Sequence, residues 1–299
     1  MSELLAALEE IRKELVRNRA VAEAQRKLLE ELRSQMHDQQ RVTRLLLGHG
    51  LAEMEDDIAA TIGAVQMSMT ETLEILHEQR LSMARYGDGE LMLMANPGHA
   101  LRFQRNSPEL RRDLTEAINP DWLAPGRVLV TLPPPFRGHL HWIGAWLATW
   151  STLKPLIDPA RRYGHTLITR PMFFRKEGHA GIAQWRRVWQ GRRVLVVTGK
   201  GSRFDLVPAL FDTAGTVDFL HTVPEHAFDE REAILRSVVE RADADTLVLL
   251  SLGPTATVLA HRIAASGIQA LDIGHISASY NHIHANGALP EAMTSVNRG

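Results

Sequence analysis

Leu81-Ser82-Met83-Ala84-Arg85-Tyr86-Gly87-Asp88-Gly89-Glu90 joins a short apolar run to an acidic pair set among glycines. With Leu81 to Tyr86 as a strand, Asp88 and Glu90 sit where the chain leaves a sheet. Gly87 and Gly89 keep the neighbouring backbone bare, so a bulky anion or a hydrated cation can approach closely. Two hard oxygen ligands at that spacing suit Mg²⁺ or Mn²⁺, and Arg85 suits a phosphate. A Gly-Asp-Gly turn with a solvated Glu accounts for the same residues. The surroundings decide between the two.

From Leu81 onward, short β-branched or apolar runs alternate with amphipathic segments. Candidate strands are Leu81 to Tyr86, Leu101 to Gln104, Val128 to Leu132, Thr166 to Thr169, Val194 to Thr198, Val217 to His221, Thr246 to Leu252 and Ala270 to Ile273. Helical patterns fit Pro108 to Ile118, Leu140 to Leu153, Ala180 to Gln190, Leu206 to Thr213, Glu230 to Arg241 and Thr255 to Ala265. Such alternation predicts an α/β fold, a mainly parallel sheet with helices on both faces. Ligands of such sheets bind at the carboxyl ends of the strands. That rule selects Gly87 to Glu90, Pro133 to Arg137, Arg170, Gly199 to Arg203, Gly253 to Thr255 and Gly274-His275.

Several of these strand ends suit a phosphate. Gly199-Lys200-Gly201-Ser202-Arg203 follows a strand with two cations and a hydroxyl, yet it lacks the longer loop of a P-loop. The Gly-x-Gly-x-x-Gly fingerprint is also missing, which argues against ATP hydrolysis and NAD binding. Gly253-Pro254-Thr255 is a tight turn into a helix, with Thr255 as candidate N-cap and free amides able to accept an anion; plain capping is the alternative.

The 299 residues, 44% of them hydrophobic, suffice for one large or two ordinary domains. A formal net charge of -1 gives no overall basic field, so nucleic acid is not an expected partner. Absence of cysteine excludes disulfides and thiolate metal sites. No leader pattern and no membrane-length apolar run are visible, so a cytoplasmic protein without a membrane span is the expectation. Leu4 to Leu46 has neither proline nor glycine and carries a seven-residue repeat: Leu4, Leu8, Ile11, Leu15, Asn18, Ala22, Gln25, Leu29, Leu32, Met36, Gln39, Thr43 and Leu46. This predicts a long helix forming a two- or three-stranded parallel coil, hence a homo-oligomer; a helix folded back on its own body is the alternative. Gly48-His49-Gly50 breaks it, and a second helical stretch runs from Leu51 to Gln79. Its methionines 54, 67 and 69 read as packing material.

Arg85-Tyr86-Gly87-Asp88-Gly89-Glu90, Phe103-Gln104, Thr169-Arg170-Pro171, Trp185 with Trp189, Leu252 to Ala260 and Leu271-Asp272-Ile273-Gly274-His275 together resemble the GT-D-type glycosyltransferases over about residues 74 to 284. The resemblance, which leaves out the N-terminal arm, implies a Rossmann-like fold, here at 81–285; the repeat and helical pattern place a coiled-coil helix at 1–47 and a connecting helix at 48–80 before it, and a flexible tail is expected at 286–299. It implies that Asp88 and Glu90 help hold a divalent cation, Mn²⁺ or Mg²⁺, with a nucleotide-sugar donor, UDP-glucose being favoured. Arg85, Gly87, Gly89, Gln104, Arg170, Gly199, Lys200, Gly253, Pro254 and Thr255 are the candidate donor-binding residues. A glycan or glycoprotein is the expected acceptor. The family pattern departs in two places: Ile276 to Asn281 replaces acidic residues after His275, and Thr198 stands at an acidic position.

Chemically, the leaving diphosphate needs positive charge from Arg85, Arg170 or Lys200, and the incoming hydroxyl needs a base, for which Asp272 and His275 are candidates. His275 as a structural histidine, and Gln104 as a plain strand-end residue, are the alternatives. His139-x-His141 and His282-x-His284 each offer two imidazoles, too few to complete a zinc site. Trp142, Trp146 and Trp150 share one helix face and read as core, with sugar stacking as the alternative. Competing readings are a catalytically silent scaffold recruiting partners through the coil, and a phosphotransferase using Gly199 to Arg203.

Overall fold

A computed structural model of the chain describes the backbone of residues 2–47, 50–135, 140–202 and 204–290, and the side chains of 8–40, 52–135, 142–202 and 204–290. Two compact units are present, Met1–Asp56 and Asp57–Gly299. The first is dominated by α1 (Ser2–Leu47) and takes in the start of α2 (Gly50–Val65). With no helix breaker over its length, α1 is continuous, and its apolar residues Leu8, Ile11, Leu15, Leu29, Leu32 and Met36 are 48–64% exposed. Gly48 and His49 of the expected break lie outside the described residues, as do residues 291–299 of the expected tail.

The second unit begins within α2, where Ile58, Ile62 and Val65 are buried and Asp57 accepts from Trp150 Nε1 at 2.8 Å and Lys154 Nζ at 2.7 Å. The helix expected from Leu51 to Gln79 is two helices. Ser68 opens α3 (Met69–Glu78) with a capping box, its hydroxyl accepting from Glu71 N while Glu71 accepts from Ser68 N. A Ser-x-x-Glu box is a start signal that outcompetes continuation of the preceding helix. Met69, Leu73 and Leu76 then enter the core, with Met67 packed against it.

The remaining elements are β1 (Ser82–Arg85), α4 (Asp88–Ala95), α5 (Pro108–Ala117), β2 (Val128–Leu132), α6 (Leu140–Leu153), β3 (Gly164–His165), α7 (Pro171–Trp189), β4 (Arg193–Gly199), α8 (Pro208–Phe211), β5 (Thr216–Thr222), α9 (Arg231–Arg241), β6 (Leu247–Ser251), α10 (Pro254–Ala265), β7 (Gln269–Asp272) and α11 (Ile276–His284). The strands form one parallel sheet in the order β3-β2-β1-β7-β6-β4-β5. β2 and β7 are buried along their whole length, as expected for a sheet covered on both faces. Stacked Trp185, Trp189 and Phe211 fill the layer beneath α7, and both indoles donate to carbonyls, of Ile168 and Leu210 at 2.9 Å each. Trp146 and Trp150 are likewise buried, in the core role read from the sequence.

Two expected strands are absent. Leu101 and Gln104 hydrogen-bond each other in both directions, closing a tight turn that leaves no ladder for a neighbour. Thr166 to Thr169 forms a 3₁₀ turn after the two-residue β3, because His165 Nδ1 accepts from Leu167 N and Arg170 N donates to Leu167 O, satisfying the backbone locally. α7 starts at Pro171, ahead of the expected Ala180, and bends at Gly178, whose φ is +52°. α4 and α11 occupy stretches read as loop or strand. On α11, His282 and His284 do not share a face as they would on a strand; His282 Nδ1 is 2.8 Å from Gly287 O. His139 and the side chain of His141 lie outside the described residues.

Candidate active site

The carboxyl ends of β1, β7, β6 and β4 open into a cleft of about 390 Å³. β1 delivers Arg85 to it, and Tyr86 anchors the exit from the sheet: its amide donates to Thr131 O at 3.0 Å and its buried hydroxyl to Leu114 O at 2.6 Å. Gly87 then caps α4, whose first turn carries Asp88 and Glu90. Glu90 Oε2 accepts from Gly87 N at 2.8 Å. The acidic pair therefore lies at a helix N-terminus, where the backbone dipole favours negative charge. Gly89 lines the cleft and also serves packing. A Cβ there would meet the Leu101 side chain at 3.3 Å, so its smallness lets the chain pack on itself.

Asp88, Glu90 and Asp272 share this end of the sheet with Arg85, Arg170 and Lys200. Glu90 is 6% exposed, and burial raises its pKa, opposed by Arg85 and the Gly87 amide and reinforced by Asp88. Asp272, at the end of β7, is 2% exposed; burial pushes it up to about 7 against the pull of Arg85, with the Glu90 charge adding to the rise. Asp272 Oδ1 accepts from Gly274 N at 3.1 Å, and its Oδ2 is 3.2 Å from Thr257 Oγ1. The same Thr257 hydroxyl lies 3.0 Å from Arg85 O. One hydroxyl proton serves one acceptor well. The Thr257 hydroxyl is thus shared between Arg85 O and Asp272 Oδ2, tying α10 to the ends of β1 and β7. Arg170 stands at the start of α7, and burial and Arg85 pull its guanidinium down to about 10 while Asp88 and Glu90 hold it up. Lys200 follows β4, its amide donating to Thr222 O at 2.8 Å.

The opposite wall is the Leu101–Gln104 turn, clamped from two directions. His226 N donates to Phe103 O at 2.8 Å, and His226 Nδ1 accepts from Arg105 N at 3.1 Å, at a φ of +56° that a histidine rarely adopts. Gln104 Oε1 accepts from Phe228 N at 3.2 Å and lies 3.4 Å from Thr255 Oγ1, while its Nε2 donates to Arg105 O at 3.0 Å. Its amide therefore fixes the wall instead of standing ready for a sugar hydroxyl. Thr255 is fully buried and not an N-cap. Gly253 holds that position with φ +56°, and a Cβ on it would run into the Phe103 ring. Twelve of the fourteen candidate residues line the cleft: Arg85, Gly87, Asp88, Gly89, Glu90, Gln104, Arg170, Gly199, Lys200, Gly253, Asp272 and His275. Pro254 and Thr255 are buried as the first two residues of α10. Arg203 lies outside the described residues.

Residues 83–292 match the model of the glycosyltransferase GT-D fold. The chain belongs to the GT-D family. Solved relatives agree. The structure described as "the highly conserved domain of unknown function 1792 has a distinct glycosyltransferase fold" superposes with a TM-score of 0.71 at 26% identity, covering 80% of this chain and 89% of that one. "A new glycosyltransferase" from Streptococcus sanguinis superposes with 0.66 at 30% identity, covering 75% and 85%. Among curated proteins, "Probable glycosyl transferase Gly" of Streptococcus gordonii is 32% identical over 77% of this chain, and glycosyltransferase GlyD of Streptococcus pneumoniae serotype 4 is 29% identical over 70%. The chain spans 34% and 26% of the length of those two relatives.

Within this GT-D site, the sequence reading missed Thr257, Thr166 and His226. Thr166 Oγ1 donates to Tyr86 O at 2.6 Å and sits 2.9 Å from Thr131 Oγ1. All three act through hydrogen bonds between segments far apart in sequence; Thr257 lies in the Leu252 to Ala260 stretch and Thr166 in an expected strand, but no local pattern marks their partners. The oxygen donors Asp88 and Glu90 fit a hard cation, although one Glu90 oxygen already accepts the Gly87 amide. Among the described residues no group of three or more His, Asp or Glu is arranged to hold an ion.

Proposed function

We propose that this chain transfers a hexose from a nucleoside-diphosphate sugar, with UDP-glucose the favoured donor, to a glycan or protein-linked glycan. The observation that carries the reading is the cleft at the strand ends, where Asp88 and Glu90, at a helix N-terminus, share the lining with Arg85, Arg170 and Lys200. Membership of the GT-D family and the names of the relatives support it.

In the reaction, the acceptor hydroxyl oxygen bonds to the anomeric carbon, and the bond from that carbon to the diphosphate oxygen breaks. The electron pair leaves with the diphosphate. Arg85, Arg170 and Lys200 supply fixed positive charge where that pair accumulates, in a site already organised by protein hydrogen bonds. Asp88 and Glu90 would hold a divalent cation, Mn²⁺ or Mg²⁺, which when bound supplies Lewis-acid charge to the diphosphate. His275 is exposed at the cleft and takes the acceptor proton; Asp272, nearly sealed, holds the Gly274 turn from which His275 projects. The wall around Phe103 orients the donor from the other side.

Release of UDP from UDP-glucose in the presence of Mn²⁺ tests the reading. Turnover that disappears in Asp88→Asn and Glu90→Gln supports it. No turnover with any nucleotide sugar, or turnover indifferent to both substitutions, defeats it.

A further inference from the structure

Helix α1 leaves Leu8, Ile11, Leu15, Leu29, Leu32 and Met36 about half exposed or more, along a stripe that repeats every seven residues. Such a stripe is costly in water and needs a cover. Its flanks say which one. In heptad terms Leu8, Leu15, Ala22, Leu29 and Met36 are a positions, and Ile11, Asn18, Gln25 and Leu32 are d positions. The e positions that follow are Arg12, Arg19, Arg26 and Arg33, four arginines in succession. The g positions are Glu14, Val21, Leu28 and Gln35, none of them basic.

That asymmetry discriminates between orientations. Two such helices packed antiparallel bring e against e, stacking arginine on arginine along the seam. Packed parallel and in register, e meets g: Arg19 meets the partner's Glu14, while Arg26 and Arg33 lay their alkyl stems over the partner's apolar Val21 and Leu28. Residues 8–40 carry 7 Lys and Arg against 7 Asp and Glu, so there is no net attraction to an anionic lipid surface. Asn18 and Gln25 also interrupt the stripe where a lipid-facing helix would be apolar. A polar seam residue instead fixes register in a coil. We propose that α1 binds the α1 helix of a second copy of this chain, parallel and in register, with the arginine row as the element that rejects the antiparallel arrangement.

The absence of cysteine makes this testable with single thiols. Light scattering of the full chain should give at least twice the 33.4 kDa of one copy. Leu8→Cys should cross-link to itself when oxidised glutathione takes up the two electrons and two protons of the thiol pair. Leu15→Glu with Leu29→Glu should return the mass to one copy without moving the melting temperature of the α/β body. A wild-type monomer overturns the proposal, and so does a mass unchanged by the two glutamates. Cross-linking between Leu8→Cys and Met36→Cys chains, without Leu8→Cys self-pairing, overturns the orientation. A monomer that sediments with phosphatidylserine vesicles assigns the stripe to a membrane instead. Each readout is independent of sugar transfer, so its failure leaves the proposed reaction standing.

Discussion

The arm and the body place their residues against opposite expectations. Along α1, leucines that belong in a core stand in water: Leu15 is 64% and Leu29 59% exposed. At the end of the sheet, carboxylates that belong in water are enclosed, with Glu90 at 6% and Asp272 at 2%. Each mismatch carries a cost that folding alone does not explain. Apolar area left in water forgoes roughly 25 cal/mol per Å², and an enclosed carboxylate shifts its pKa unless neighbours hold its charge. Under the proposals above, a second copy relieves the arm's mismatch; in the body, Arg85 and the capping amide of Gly87 oppose the cost of enclosing Glu90.

The comparison breaks most visibly at the acidic pair. Glu90→Gln keeps the shape and the Gly87 cap but removes the charge, and donor turnover should fall about 100-fold or more. A loss under tenfold would make Glu90 a capping residue only. Next comes the wall. Gly253→Ala places a methyl against the Phe103 ring at a backbone conformation reserved for glycine. Urea unfolding should report a loss of about 2–4 kcal/mol, with weaker donor binding; an unchanged midpoint would mean that Phe103 moves freely.

The third prediction concerns pH. Asp272 titrates near 7 when folded, against about 3.9 when unfolded. Between those values the folded chain holds a proton that the unfolded chain has released. Its stabilising contribution is therefore complete below about pH 4 and is lost as pH rises through 7. Glu90, also raised, acts in the same direction. The difference in stability between the wild type and Asp272→Asn should shift against the wild type by on the order of 1–4 kcal/mol from pH 4.5 to 7.5. A flat difference would show Asp272 ionised throughout. The smallest effect belongs to the arm: Leu15→Glu should leave the unfolding of the body within about 0.5 kcal/mol, while changing the mass of the particle.

The sheet was legible because β-branched runs separated by amphipathic segments leave few topologies, and strands such as Val128 to Leu132 and Val194 to Thr198 form where their pattern lies. Thr166 to Thr169 misled because its β-branched composition is used in a local turn tied to Tyr86 O, a partner 80 residues away. α4 was hidden by the glycines at 87 and 89. Their turn chemistry masks a helix start whose signal is Glu90 reaching back to the Gly87 amide. The acidic pair and its cations were readable from residue type. What fixes them was not: Thr257 bridging Arg85 and Asp272, and His226 clamping the Phe103 turn, are contacts that no local pattern encodes.

The most direct test of the central claim is a calorimetric titration of the full chain with UDP, with and without Mn²⁺, beside the Asp88→Asn, Glu90→Gln double variant. The account predicts binding that strengthens at least tenfold with Mn²⁺ in the wild type and loses that gain in the variant. Equal affinity in all conditions, or no binding at all, would contradict it.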